Sequence, residues 1–489
     1  MAGTGKTAIA WTVCSCASAD PTIILGGSFF CSRSAGSTEH RDVRRVVPTL
    51  ARLLARQLPE FGAALAKELE HDPYVMAKHV KTQVKQLLYK PLLALKGSIS
   101  PVLFVIDALD ECCSQTSVDG KSDDFDSHRT VSDLLDALAE EFSHSAGSLL
   151  AKFLVTSRPE THIRDTCVSN ATFSKVLRLH EDDKAQAAAD VHLYIEARLL
   201  NPQLRGQFTT ADALKLSRVC DGLFIAAATA LKYILAKCND TAAERFQTVL
   251  NSSRDGLSNG VAEALDAMYA LILAEAMRDD GGEANKIPTL PELLASLLST
   301  RMTLSVAALA DLLDQPTNDS PHVLPAHTRL RARLSRLHAV IHVPDGDVEP
   351  SLRTLHASFG DYLFVRAPDS TRLSESLGHD VLARACFQVM DKRLRFNVSQ
   401  NHSSYKPNST TRHHSITLSL EYACLQWAYH LASAPNPSVL HQDIERKFRP
   451  RLLFWLEVMS TLGQVRRASA MLAIAAGTVR RPNSQARVS

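Results

Sequence analysis

The segment Gly3-Thr4-Gly5-Lys6-Thr7, opening an apolar helical run, constrains this chain more than any other feature. Two glycines one residue apart let the backbone turn its N–H groups toward an anion with no Cβ in the way. The positive end of the following helix adds to the attraction. A lysine at this position reaches the β- and γ-phosphates of a nucleotide, and the hydroxyl after it ligates Mg2+. Gly3, Thr4, Gly5, Lys6 and Thr7 are therefore the expected phosphate cradle, with Thr7 also on the metal. In the complete pattern G-x-x-x-x-G-K-[ST] the first glycine would fall one place before Met1, and the strand that feeds such a loop is missing. The expectation is a parallel sheet without its first strand and with weak nucleotide binding, because unpaired neighbours leave several backbone groups orphaned.

Residues 1–180 alternate strand-like runs with helical spacing, the pattern of a parallel sheet covered by helices. Thr22 to Cys31 reads as a strand with a glycine break. Pro101 to Ile106 is a continuous apolar run, expected of a strand covered on both faces. Lys152 to Thr156 is another strand, and Lys175 to Leu179 a third of the same kind. Helical spacing fills Val47 to Leu58, Val80 to Leu93 and Val131 to Phe142. Beyond about residue 185 the strand signal nearly vanishes. Helices are expected over 185–200, 211–219, 223–236, 261–277, 418–431 and 452–476. Between residues 290 and 365 three short helices precede a hairpin turning at Pro344-Asp345-Gly346-Asp347, an order that suggests a winged helix. The expected domains are 1–180, 181–285, 286–368 and 369–489.

Two further clusters extend the chemistry. Val105-Ile106-Asp107-Ala108-Leu109-Asp110-Glu111 puts acids at the C-terminal end of a buried strand, the edge where open α/β sheets bind ligands. Asp107 is the expected Mg2+ partner, and Asp110 or Glu111 the residue that orients an attacking water. Thr156-Ser157-Arg158-Pro159-Glu160 places Arg158 directly after another strand, where a cation senses the γ-phosphate. Lys plus Arg number 54 against 52 Asp plus Glu, which excludes a global field for nucleic acid or an anionic membrane. Ten cysteines in 489 residues are too sparse for a disulfide scaffold and fit a reducing, cytoplasmic setting. No apolar run approaches the roughly 18 residues of a membrane span.

Together these stretches resemble a NACHT-type NTPase of the STAND class, specifically the nephrocystin-type family abundant in fungi. Ser28-Phe29-Phe30-Cys31-Ser32-Arg33, Gly222-Leu223-Phe224-Ile225 and Leu355-His356-Ala357-Ser358-Phe359-Gly360-Asp361-Tyr362-Leu363 carry the resemblance to about residue 365. Tyr422-Ala423-Cys424, with Trp427 and His430, resembles the helical segment that follows. The resemblance implies an α/β P-loop NTPase domain followed by mainly helical domains that include a winged helix. It implies a signalling switch, closed with ADP and open and self-associating with ATP, with slow or no hydrolysis. ATP is favoured over GTP. It makes Asp107 the acid on Mg2+ and Arg158 the sensor. Gly222 then belongs to a turn near the adenine, with Phe224 where the family has proline, and His356 contacts the β-phosphate of ADP.

Other features weigh less. Asp119, Asp123, Asp124 and Asp126 read as a solvated acidic loop, and Cys112-Cys113 and Cys14-x-Cys16 lack partners at zinc spacing. His413-His414 falls in a polar loop. Arg329, Arg331, Arg333 and Arg336 interleave with leucines, as a DNA-reading helix would, but in the resembling family this element packs internally. The competing functional reading is a degenerate, non-catalytic helical interaction protein. A small-molecule kinase fits less well, because that chemistry has no use for the long helical half.

Overall fold

The computed structural model describes residues 3–32, 40, 42–112, 124–143, 151–170, 174–179, 184–204, 206–236, 241–254, 261–278, 288–313, 325–344, 352–400 and 416–479. Arg33, the 345–347 part of the expected turn, the acids Asp119 and Asp123, and His413-His414 lie outside them. The described chain divides into two units, one up to Ala228 and one from Thr229 onward.

The first unit begins with helix α1 (Lys6–Ala19) and strand β1 (Ile24–Phe30). Two helices follow, α2 (Val46–Gln57) and α3 (Pro59–His71), the latter started by a proline whose missing N–H costs nothing there. Helix α4 runs through Val80–Gln83, a π-helical stretch Val84–Tyr89 and Lys90–Leu93. Strand β2 (Val102–Asp107) leads into a tight turn, Leu109–Glu111. Helix α5 (Asp124–Ser143), strand β3 (Ala151–Val155) and helix α6 (Thr161–Ser169) come next. Helices α7 (Lys184–Leu199), α8 (Thr210–Cys220) and the start of α9 (Phe224–Ile234) complete the unit.

The sheet is parallel, in the order β1-β2-β3. Phe30 pairs with Asp107, and Ile106 with Val155, so all three strands end at one edge. The glycine break in β1 is a register shift between Leu25 and Gly27 within one strand, not a gap between two. Consecutive residues Phe104, Val105 and Ile106 are all fully buried, so both faces of β2 are covered. Val46, Leu50 and Leu54 of α2 enter the same core as Phe104. The rings of Phe104 and Phe153 stack at 5.2 Å, and Phe142 meets Phe153 edge-on at 5.0 Å.

Lys175 to Leu179 is not a strand. Val176 and Leu177 are 54 % and 68 % exposed, and among the described residues no strand lies beside them to share a ladder. An apolar run becomes a strand only with a neighbour to pair with, which periodicity alone does not reveal.

Among the described residues the second unit is helical apart from one short ladder. It contains α10 (Ala242–Arg254), α11 (Val261–Arg278), α12 (Leu290–Ser299), α13 (Val306–Leu313) and α14 (Ala326–Ser335). Strands β4 (Ile341–His342) and β5 (Arg353–Thr354) pair antiparallel, and the five-residue α15 (Ala357–Asp361) follows. The helices α16 (Glu375–Arg393) and α17 (Leu418–Ser433) pack together at the centre, with α18 (Leu452–Thr461) and α19 (Val465–Val479) against α17. The expected single helix 452–476 is thus two, broken where Gly463 adopts φ 67°. Gly378 lets α16 approach α12: a Cβ there would sit 2.3 Å from the Ala295 carbonyl oxygen. Trp427, Trp455, Phe387 and Phe448 form an aromatic core, with Trp427 and Phe448 rings 4.4 Å apart.

Beside them runs a buried polar chain. His379 Nδ1 and His430 Nδ1 are hydrogen-bonded at 2.8 Å, and His430 Nε2 meets the Tyr422 hydroxyl at 2.8 Å. Burial first, then His379 and Arg301, hold the His430 pKa well below the ordinary histidine value. Among the described residues no helix is long and apolar enough to cross a membrane.

Candidate functional site

The site lies at the C-terminal edge of the parallel sheet, where β2 and β3 end beside the first turn of α1. Gly3 and Gly5 have φ 81° and 86°, values a side chain disfavours. Gly5 is the N-cap of α1, with no side chain capping the first turn and no acid within it. That leaves the helix start suited to an anion from outside. Lys6 is half-buried, its ammonium donating to the Thr4 hydroxyl at 3.3 Å. Thr7, the expected metal ligand, is exposed.

The electrostatics of Lys6 join the expected groups. Burial lowers its pKa, Asp110 raises it, Arg158 lowers it, and Asp107 and Glu111 raise it. The three carboxylates and the guanidinium therefore all act on one ammonium. Asp107, only 2 % exposed, accepts a 2.5 Å bond from the Thr156 hydroxyl. The same Thr156 oxygen accepts the Ala108 N–H at 3.0 Å. Ala108 is left-handed, φ 53°, and its turn lets Leu109 donate to the Thr156 carbonyl at 3.0 Å. Asp110 receives the Arg158 N–H on Oδ1 at 2.8 Å and the Arg158 Nε on Oδ2 at 3.2 Å. The end of β2 and the end of β3 are thus laced together by one hydroxyl and one ion pair.

Thr156 joins the two strand ends, and the only sign of it in the sequence is a threonine directly after β3, two residues before Arg158. A second such contact comes from the Gly222 turn. Gly222, φ 73°, lies between α8 and α9. The next residues press on the Gly3-Thr4-Gly5 loop. Ile225 donates its N–H to the Gly3 carbonyl at 3.3 Å, and its Cγ2 sits 1.9 Å from where a Cβ on Gly3 would lie. The Phe224 ring is 3.5 Å from the corresponding point on Gly5 and meets Tyr194 of α7 edge-on at 5.9 Å.

His356 belongs to the second unit, where it caps α15: its Nδ1 accepts the Ser358 N–H at 3.1 Å and contacts the Ser358 hydroxyl at 2.7 Å. That hydroxyl in turn bonds Tyr269 at 2.8 Å. Of the interleaved arginines, Arg331 bonds the Pro344 carbonyl and Arg333 the Pro288 carbonyl, the latter at 2.6 Å. Leu330, Leu334 and Leu337 between them are fully buried, so this helix serves the core on one side and backbone carbonyls on another.

Comparison with curated proteins finds no match. Residues 1–158, about a third of the chain, match the family model described as nephrocystin 3, N-terminal. The match covers Gly3 to Thr7, the three acids Asp107, Asp110 and Glu111, and Arg158, so the first unit opens with a nephrocystin-type N-terminal region.

Proposed function

We propose that this chain is a nucleotide-controlled switch of the NACHT/STAND class, binding ATP or ADP with Mg2+, ATP in preference to GTP. The observation that carries the reading is an uncapped helix start with two left-handed glycines, at the sheet edge where Thr156 ties Asp107 and Asp110 pairs with Arg158, groups whose charges act on Lys6. The residues present fit the group: an uncapped helix start and two left-handed glycines suit phosphate, and Asp107 with Thr7 supplies oxygens for a hard cation. Bound Mg2+ would neutralise charge on the phosphates. Lys6 would bind phosphate oxygens, Thr156 would fix the rotamer of Asp107, and Asp110 would hold Arg158 toward the γ-phosphate. Asp110, whose oxygens also hold Arg158, or Glu111 beside it would orient the attacking water. Slow hydrolysis is the result expected of such a site.

The order of α12, α13, α14 and the β4–β5 ladder supports a winged-helix reading of that stretch. Exchange of ADP for ATP would favour an open, self-associating form, limited by the difference in affinity between the two forms. A cytoplasmic protein whose partners are nucleotide and protein rather than membrane or DNA completes the proposal. One observation favours the alternative, an interaction protein without nucleotide: Ile225 and Phe224 press directly on Gly3 and Gly5. Calorimetric titration of the full chain with Mg·ATP and Mg·ADP separates the two. The switch requires saturable heat that Lys6→Ala abolishes; absence of heat with either nucleotide favours the alternative.

A further inference from the structure

We infer that Cys31 and Cys112 are a peroxide-oxidisable dithiol that closes into a disulfide beside the acidic turn. Cys31 follows the last residue of β1, and its N–H donates to the Asp107 carbonyl at 3.0 Å. Cys112 ends the Leu109–Glu111 turn, its N–H donating to the Leu109 carbonyl at 3.1 Å. The two residues are 81 positions apart, yet the Cys112 thiol donates to the Cys31 sulfur at 2.8 Å. A disulfide bond is about 2.05 Å long, so closure asks the sulfurs to move by less than ~1 Å. Both thiols are free, and among the described cysteines no other two are in sulfur contact.

The pair lies just beneath the surface, with 5 % of Cys31 and 7 % of Cys112 exposed. A hydroperoxide as small as hydrogen peroxide is the class of oxidant that fits this burial; a bulky disulfide is not. The chemistry balances in two steps. One thiol gives up its proton and attacks the O–O bond as the thiolate, giving a sulfenic acid while the departing hydroxide takes that proton and leaves as one water. The other thiol attacks that sulfur, forming S–S and releasing a second water. Two thiols lose two electrons and two protons, and the peroxide becomes two waters.

The product ties the end of β1 to the turn that carries Asp110 and Glu111. This turn follows directly on Asp107, so the bond would fix the acidic edge of the sheet in one arrangement. The inference does not depend on the nucleotide reading, because the thiols meet whatever the phosphate loop holds.

The test uses the reduced full chain, treated with hydrogen peroxide, alkylated under denaturing conditions, digested and analysed by mass spectrometry. A linked peptide joining Cys31 to Cys112, released by dithiothreitol, is expected. Hydrogen exchange of residues 109–112 should slow in the oxidised chain, and the melting temperature should rise. Cys31→Ser and Cys112→Ser should each lose the peroxide-dependent rise, while the double variant Cys14→Ser/Cys16→Ser should keep it. The wild-type linked peptide decides the matter even if a serine variant folds poorly. Full alkylation of both cysteines after peroxide, sulfinic acid in place of the bond, or linkage of Cys31 to Cys113 would overturn the inference.

Discussion

Replacing Thr156 by valine tests the lacing at the sheet edge most sharply. The substitution keeps the branched shape and removes only the hydroxyl, so no cavity complicates the result. In the wild type that hydroxyl donates to the buried Asp107 carboxylate at 2.5 Å and accepts the Ala108 N–H at 3.0 Å. A hydrogen bond to a charged group contributes roughly 1.5–3 kcal/mol, and a stranded buried partner costs about 1–3 kcal/mol. The two losses share one atom and Ala108 is only half-buried, so they do not simply add. A loss of about 2–3 kcal/mol follows for the first unit. At roughly 2–4 °C per kcal/mol for a unit of this size, the melting temperature should fall by about 4–12 °C. Thr156→Ser keeps the hydroxyl and should lose less than about half as much. Differential scanning calorimetry of the full chain gives the shift, and hydrogen exchange over residues 102–112 assigns it to this edge. If the valine variant melts within 1–2 °C of the wild type by this measure, Thr156 does not hold Asp107 and the account of the edge is wrong.

Three further outcomes follow from the same structure. Burial outweighs the neighbouring carboxylates at Lys6, and its lowered pKa means the folded state binds fewer protons than the unfolded one just below 10.5. Stability therefore rises with pH across that window, and Lys6→Met should flatten the rise and stabilise the ligand-free chain at neutral pH, measured by urea unfolding at several pH values. Gly378→Ala puts a Cβ 2.3 Å from the Ala295 carbonyl oxygen, so α16 must move off α12; a loss of about 2–4 kcal/mol in chemical denaturation is expected, and a change under 0.5 kcal/mol would show that the helices do not meet there. His430 is kept neutral in the fold, so below its ordinary value of 6.5 the unfolded state binds more protons. Stability of the second unit should fall as pH drops from 6.5, and His430→Gln should lessen that dependence in melts between pH 7 and 5.

What the sequence disclosed tracks how locally each feature is determined. The glycine turn before Lys6–Ala19 and the Val102–Asp107 strand are legible because each depends on a few adjacent residues. Thr156 is legible as a residue but not as a partner of Asp107, 49 positions away. Ile225 on Gly3 is hidden for the same reason: nothing near either residue announces the other. Helix Glu375–Arg393 leaves little periodic signal because its buried residues, from Gly378 through Met390, surround most of its circumference. Lys175 to Leu179 misleads in the opposite sense, with a strand's pattern and no strand to pair with. The capping role of His356 is hidden, because histidine is not among the usual N-cap residues and its partner Tyr269, reached through Ser358, is distant in sequence.

The claim that matters most is that Lys6 stands among Asp110, Arg158, Asp107 and Glu111 in order to hold a magnesium-bound nucleotide. Its most direct test is the melting temperature of the full chain as a function of Mg·ATP and Mg·ADP concentration, with Lys6→Ala in parallel. A binder gains RT ln(1 + [L]/Kd), roughly 2.7 kcal/mol at one hundred times Kd, and the gain should rise with nucleotide, need Mg2+ and vanish in Lys6→Ala. A flat response to both nucleotides, or an equal rise in wild type and Lys6→Ala, contradicts the account.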